Sequence, residues 1–204
     1  MPKLWADSLD EHRALVRERL VDAFVELLSE RPLDDVTVSA VAERAGLARS
    51  AVYNHVDHLH DLALLHTERT IAAWVEPFRA TAQQPALERL GVLVASSLRT
   101  FAEDPVGGQD LSGHLDEERL ARLFGLLGPI RAEVHQLCVQ GVERGELLDR
   151  DPAALAGFVW AVVGGHRVTV GSGRVDVGAT TTLATELLQR ALAPEPDGDG
   201  PDGA

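Results

Sequence analysis

Residues Thr37–His55, TVSAVAERAGLARSAVYNH, decide how this chain folds. Val38, Val41, Ala42 and Ala45 recur at i, i+3, i+4 and i+7, the apolar stripe of a short helix. Thr37 stands where a hydroxyl accepts an unpaired amide hydrogen of the first turn. Gly46 falls where a left-handed residue ends a helix at least cost. Leu47 then turns inward, and a second helix begins near Arg49 with Val52 and Val56 on its buried side. Arg49, Ser50, Ala51, Asn54 and His55 are left facing outward or oblique. A short helix with a polar tip, crossing behind a small apolar one, is how a helix-turn-helix offers side chains to the major groove of DNA.

Upstream, Val16, Leu20, Ala23, Phe24, Leu27 and Leu28 predict a helix over residues 9–30, ended by Arg31-Pro32. Downstream, a helix runs from His58 or Leu59 to about Ala82, bending or stopping near Ala73 because of Pro77. Pro85 fits the first turn of the next, whose apolar set is Leu87, Leu90, Val94, Leu98 and Phe101. Residues 103–115 read as a loop. Two helices are then expected, Asp116–Leu127 and Pro129–Arg144, parted by Gly128-Pro129 and stopped by Gly145. Asp151 and Pro152 open a helix that is apolar nearly all round, and a last helix spans Thr180–Ala193. The tail from 194 to 204, PEPDGDGPDGA, cannot bury apolar surface and is expected to be disordered. The fold class is all-α, with about nine helices.

Composition narrows the function. Hydrophobic content of 45% and charged content of 25% are those of a soluble globular chain. A lone cysteine, Cys138, forms no intrachain disulfide and suits a reducing compartment. The N-terminus has no apolar run of signal-peptide type, and the apolar stretch Leu155–Gly165 is shorter than the roughly 20 residues of a membrane span. A cytoplasmic protein with no membrane partner is expected. The net charge of −13 opposes nucleic-acid binding, and residues 1–70 alone hold eight basic against 13 acidic residues. A DNA-facing surface therefore needs Arg44, Arg49 and the histidines to cluster on one face, with the acids turned away.

The pattern Ala23-Phe24, Thr37-Val38, Val41-Ala42, Ala45-Gly46-Leu47, Val52-Tyr53-Asn54-His55-Val56 and Asp61-Leu62 resembles the tetracycline-repressor (TetR) family of bacterial regulators. The resemblance covers roughly 45 residues; beyond them only length and helical character agree. It implies a homodimer that binds a double-stranded operator through residues 1–57. Residues 58–193 would bind a small-molecule effector and dimerise, with the helix after Leu59 coupling the halves. Thr37, Tyr53 and His55 match phosphate-contacting positions, and Arg49, Ser50 and Ala51 match base-facing ones. Asn54 lies among them; Arg49 suits guanine and Asn54 adenine in the major groove. Two positions depart from the family: Ala48 replaces a serine or threonine, and Leu59 replaces a lysine. Both thin the phosphate anchoring.

Trp74, Phe78, Leu98, Phe101, Phe124, Cys138 and Trp160 are candidates for lining an effector cavity, with ordinary core as the competing reading. His114, His135 and His166 are candidate polar handles in it. Phe158, Val162, Leu183 and Leu187 are candidates for a two-fold interface. His55, His58, His60 and His66 lie within 12 residues, but His58 and His60 diverge on a helix and no cysteine is near. A solvated, partly DNA-facing cluster is preferred, so neither metal nor other cofactor is expected. No phosphate loop, paired metal motif or nucleophile with a placed base is present, and no catalytic residue is assigned. The expected function is an effector-released repressor; the alternative is a sensor or interaction module of the same fold with weak or no operator binding.

Overall fold

The computed structural model describes residues 3–107 and 113–195, with side chains from residue 11 onward. The described residues form eight α-helices and no strand: α1 Lys3–Glu30, α2 Val38–Arg44, α3 Arg49–Val52, α4 Leu59–Ala80, α5 Ala86–Glu103, α6 Glu117–Glu143, α7 Pro152–Gly171 and α8 Val177–Leu192. A 3-10 turn, Leu33–Asp35, links α1 to α2 and buries Leu33. Most of the expected tail, from residue 196 on, and residues 108–112 of the expected loop lie outside the described residues.

Two cores follow from the helical periodicities. Val16, Leu20, Phe24 and Leu27 of α1 pack with Val41, Ala42 and Val52 of the next two helices. The second core joins Leu90, Val94 and Leu98 of α5 to Ile130 and Val134 of α6, Val159 and Val163 of α7, and Leu188 of α8. Helix α4 belongs to both: Leu62 and Ala63 are fully buried in the first, while Trp74, Val75 and Phe78 enter the second. Any shift along α4 is therefore felt in the N-terminal bundle.

Aspartates set several helix starts. Asp116 accepts from the Arg119 amide at 2.9 Å, Asp151 from Ala153 at 3.1 Å and Asp176 from Ala179 at 2.7 Å. The Asp176 cap starts α8 at Val177, a turn earlier than expected. Pro85 supplies no cap to α5; instead Glu146 reaches across and accepts from the Ala86 amide at 2.6 Å.

The two helices expected on either side of Gly128-Pro129 are one continuous helix, α6, which is why eight helices replace nine. An internal proline costs about 3 kcal/mol. Continuing the helix through Pro129 keeps Ile130, Val134 and Leu137 on the buried face, and each fully buried side chain of this size contributes about 1.5–3 kcal/mol. The same reasoning covers Pro77, which sits inside α4. Helix α7, 20 residues of mean hydropathy 1.4, is long and apolar enough to cross a membrane by composition; here α5, α6 and α8 pack against it.

Candidate nucleic-acid interface and ligand cavity

Local hydrogen bonds build the N-terminal motif. The Thr37 hydroxyl accepts from the Ala40 amide at 3.2 Å and caps α2. At the other end Gly46 takes φ +70°. The Gly46 amide donates to the Glu43 carbonyl at 3.1 Å, and the Leu47 amide to that of Ala42 at 2.9 Å. This pair of bonds is a Schellman closure, which needs a left-handed residue at that place. Helix α3 is only four residues long and runs on through a turn, with the His55 amide donating to the Val52 carbonyl at 2.9 Å. Thr37, Arg49, Ser50, Tyr53 and Asn54 are exposed, whereas Ala51 and His55 are half-buried. Arg49 makes no ion pair among the described residues.

His55 differs from the other candidates. Its Nδ1 is buried with no hydrogen-bond partner among the described residues. Burial, followed by the charges of Arg17, His12 and Arg13, holds its pKa below the ordinary imidazole value. An uncharged ring grips phosphate more weakly than an imidazolium does. The same electrostatics place Arg13 and Arg17 of α1 beside the motif. Both are exposed on the polar face of α1, one turn apart at i and i+4.

Arg44 does not join a DNA-facing cluster. It pairs with Glu26 at 3.2 Å and Glu30 at 2.9 Å, both on α1, so it clamps α2 to α1. Ala48 has extended backbone angles, φ −68° and ψ 140°, but no side chain to cap α3. Leu59 is half-buried and packs against the N-terminal core, which accounts for an apolar residue at the start of α4.

The histidines near the start of α4 lie ring to ring, one pair stacked and one tilted. His58 and His60 have ring centroids 4.8 Å apart, and His60 and His114 are 5.9 Å apart. His114 Nε2 lies 2.8 Å from Asp34. Among the described residues no three histidine, cysteine or carboxylate side chains are arranged to hold a metal. Buried Asp61 accepts from the His58 amide at 2.8 Å and pairs with Arg119 at 3.0 Å and Arg122 at 3.3 Å. It thereby pins the start of α6 to the start of α4.

A cavity of about 160 Å³ lies between α4, α5, α6 and α7. Trp74, Phe101 and Trp160, three of the aromatic candidates, line it with Thr67, Thr70, Thr100, Asp104, Leu127, Arg131 and Arg167. Phe78, Leu98 and Cys138 do not: all are fully buried in the second core, where burial also pushes the Cys138 thiol up to about 11. Phe124 is 52% exposed and faces away. Of the histidine handles, His114 holds Asp34 and His166 Nδ1 donates to the Val162 carbonyl at 2.8 Å; neither these nor His135 lines the cavity. Asp104, at the end of α5 in the segment read as a loop, and Arg131, on an exposed face of α6, are polar lining residues that the sequence reading does not single out.

Of the four residues expected at a two-fold interface, Phe158, Leu183 and Leu187 are 43%, 57% and 53% exposed, and Val162 is half-buried. Single exposed apolar residues are ordinary. Here they sit on the adjacent helices α7 and α8; Val168 of α7 is likewise 45% exposed.

Comparison with known proteins agrees with this architecture. Residues 20–55 match the model for bacterial regulatory proteins of the tetR family. An uncharacterized HTH-type transcriptional regulator of Mycobacterium tuberculosis is 24% identical over 187 residues, 86% of this chain and 83% of that protein. Among solved structures, the transcriptional regulator FadR of Bacillus subtilis, in complex with stearoyl-CoA, superposes with a TM-score of 0.70 at 17% identity, covering 85% of this chain and 98% of that one. A putative transcriptional regulator of Saccharomonospora viridis in complex with choline gives 0.69 at 18% identity, over 88% and 98%.

Proposed function

We propose that this chain, which belongs to the tetR family of bacterial regulatory proteins, is a homodimeric repressor released from a pseudo-palindromic operator by a small-molecule effector. The observation that carries the reading is the motif's geometry. Arg49, Ser50, Tyr53 and Asn54 stand exposed on a rigidly closed helix-turn-helix whose supporting core includes the first turns of α4. Arg49 and Asn54 read base edges, while Thr37, Tyr53 and His55 hold phosphates. The exposed apolar faces of α7 and α8 meet their two-fold copies, setting the spacing of the recognition helices at one DNA turn, about 34–36 Å. An effector in the cavity touches α4 directly. It weakens operator binding to the extent that it prefers the α4 position that does not match this spacing. A cytoplasmic placement and the absence of a catalytic role belong to the same reading.

Footprinting on the protein's own promoter region, over a series of salt concentrations, tests it. A protected palindrome that disappears with Arg49→Ala, and weakens with Tyr53→Phe, is the expected result. The competing reading, a sensor that has lost operator binding, draws on uncapped Ala48, the occupation of Arg44 and the depressed His55. No protection even at low salt would select it.

A further inference from the structure

The cavity's polar groups are unevenly committed. Asp104, an acceptor, is used up: His66 Nε2 lies at 2.8 Å and the Val106 amide at 2.9 Å. The Thr67 and Thr70 hydroxyls spend their hydrogens on the Ala63 and His66 carbonyls, at 2.9 and 3.0 Å. Their oxygens keep lone pairs that still accept, and beside them the lining holds cationic donors. Arg131 lies over the Trp160 ring, its guanidinium carbon 5.3 Å from the centroid, and makes no ion pair among the described residues. Arg167, itself already engaged, adds a second positive charge to the lining. A guanidinium matches a carboxylate in shape as well as charge.

Size and shape narrow the class further. The 160 Å³ of free space is close to the roughly 150 Å³ cavity that admits benzene in another protein. Trp74 faces Trp160 edge-on at 6.4 Å and Phe101 tilted at 6.5 Å, an arrangement that takes a further flat ring at offset or edge angles. An aromatic cage of this kind also suits a quaternary ammonium ion. Here one face of the cage already carries the Arg131 cation, and the carboxylate of Asp104 is engaged by His66.

We propose that the cavity binds a single-ring aromatic monocarboxylate, its ring among Trp74, Phe101 and Trp160 and its carboxylate toward Arg131. The proposal rests on the reading of this cavity as the effector site and gives that effector a chemical class. The test is titration of the full-length protein, without DNA, by calorimetry and tryptophan fluorescence, using benzoate, benzamide and choline as probes. Benzoate is expected to saturate and to bind at least about tenfold more tightly than benzamide. Arg131→Gln should erase that difference while the helical circular dichroism is unchanged, and Arg131→Lys should restore part of it. Equal affinity for benzoate and benzamide, tighter binding of choline, or no saturable binding of benzoate would each overturn the proposal. Those outcomes with the operator footprint intact reject the ligand class alone. Benzoate binding without any footprint rejects the regulator reading alone.

Discussion

His66 of α4 and Asp104 at the end of α5 form a buried contact, with Nε2 2.8 and 2.9 Å from the two carboxylate oxygens. Arg69 Nη2 lies 3.3 Å from His66 Nδ1, and Arg69 Nη1 is 2.6 Å from Asp22 on α1. Asp104 accepts and Arg69 donates, so the tautomer satisfying both carries its hydrogen on Nε2 and accepts at Nδ1. Burial acts to raise the Asp104 pKa, but the hydrogen bond and electrostatic attraction of His66, with the Val106 and Gly107 amides, leave it below the usual carboxylate value. One end of this chain of contacts lines the cavity and the other lies on the first helix of the N-terminal bundle.

Breaking the contact at either end should separate effector binding from its effect on DNA. His66→Ala removes a charge-assisted hydrogen bond in a buried site and should cost about 2 kcal/mol in urea unfolding. Asp22→Ala removes an exposed partner and should cost under about 1 kcal/mol. Both should leave operator affinity without effector nearly intact while reducing the effector-induced change. An unaltered change in both variants would show that the contact carries no coupling.

Ala48 has the backbone of an N-cap without the side chain. Ala48→Ser should stabilise the protein by about 0.5–1 kcal/mol in thermal or denaturant unfolding. It should also tighten operator binding, through a better ordered α3 and an added phosphate contact. Stabilisation without tighter binding would separate the two effects.

Two helical glycines predict opposite tolerances. A Cβ on Gly141 would meet Leu147 at 2.7 Å and the Ala86 Cβ at 2.9 Å, where both core and backbone must move. Gly141→Ala should therefore destabilise by about 1–3 kcal/mol. A Cβ on Gly91 meets the far end of the Gln189 side chain at 2.9 Å, which can swing aside, and the Thr185 Cγ2 at 3.2 Å, which must give by a few tenths of an ångström. Gly91→Ala should be nearer neutral, within about 1 kcal/mol, the gain in helix propensity offsetting the Thr185 contact. Denaturation midpoints of the two variants check the ranking.

Stability should fall on mild acidification. Burial, then the neighbouring His58, His114 and Arg119, lower the His60 pKa, and His55 is lowered likewise. Below the ordinary value of about 6.5 the unfolded chain binds protons that these folded rings do not. Folding stability is thus fully present above that pH and lost as pH falls toward the lower folded values. The depressed carboxyl of Asp104 acts only at more acidic pH, below about 4. Melting temperatures from pH 7 to pH 5 should decline, and less steeply in His60→Gln.

Leu183 and Leu187 are exposed on α8, and Phe158 on α7. Leu183→Glu combined with Leu187→Glu should leave the helical content unchanged. It should convert a dimer to a monomer in sedimentation experiments and abolish operator protection, because two half-sites would no longer be held together. A dimer that survives both substitutions would place the interface elsewhere.

What the sequence determined by itself was local. Thr37 caps α2, Gly46 closes it and the Val38–Ala45 stripe faces inward because each depends on residues no more than about five positions away. The periodicity of α1, α4 and α5 was legible for the same reason. Tertiary structure decided what periodicity cannot. A buried stripe looks the same whether it meets solid core, as Phe78 and Leu98 do, or borders a cavity, as Trp74 and Phe101 do. Whether Pro129 ends a helix depends on what the next turns bury. The partners of charged groups lie far apart in sequence: Arg44 with Glu26, Arg119 with Asp61, and His66 with Asp104. Those pairings turn an acidic chain into one with a clamped DNA-binding motif and a donor-rich cavity, and they exist only once distant helices have been packed together.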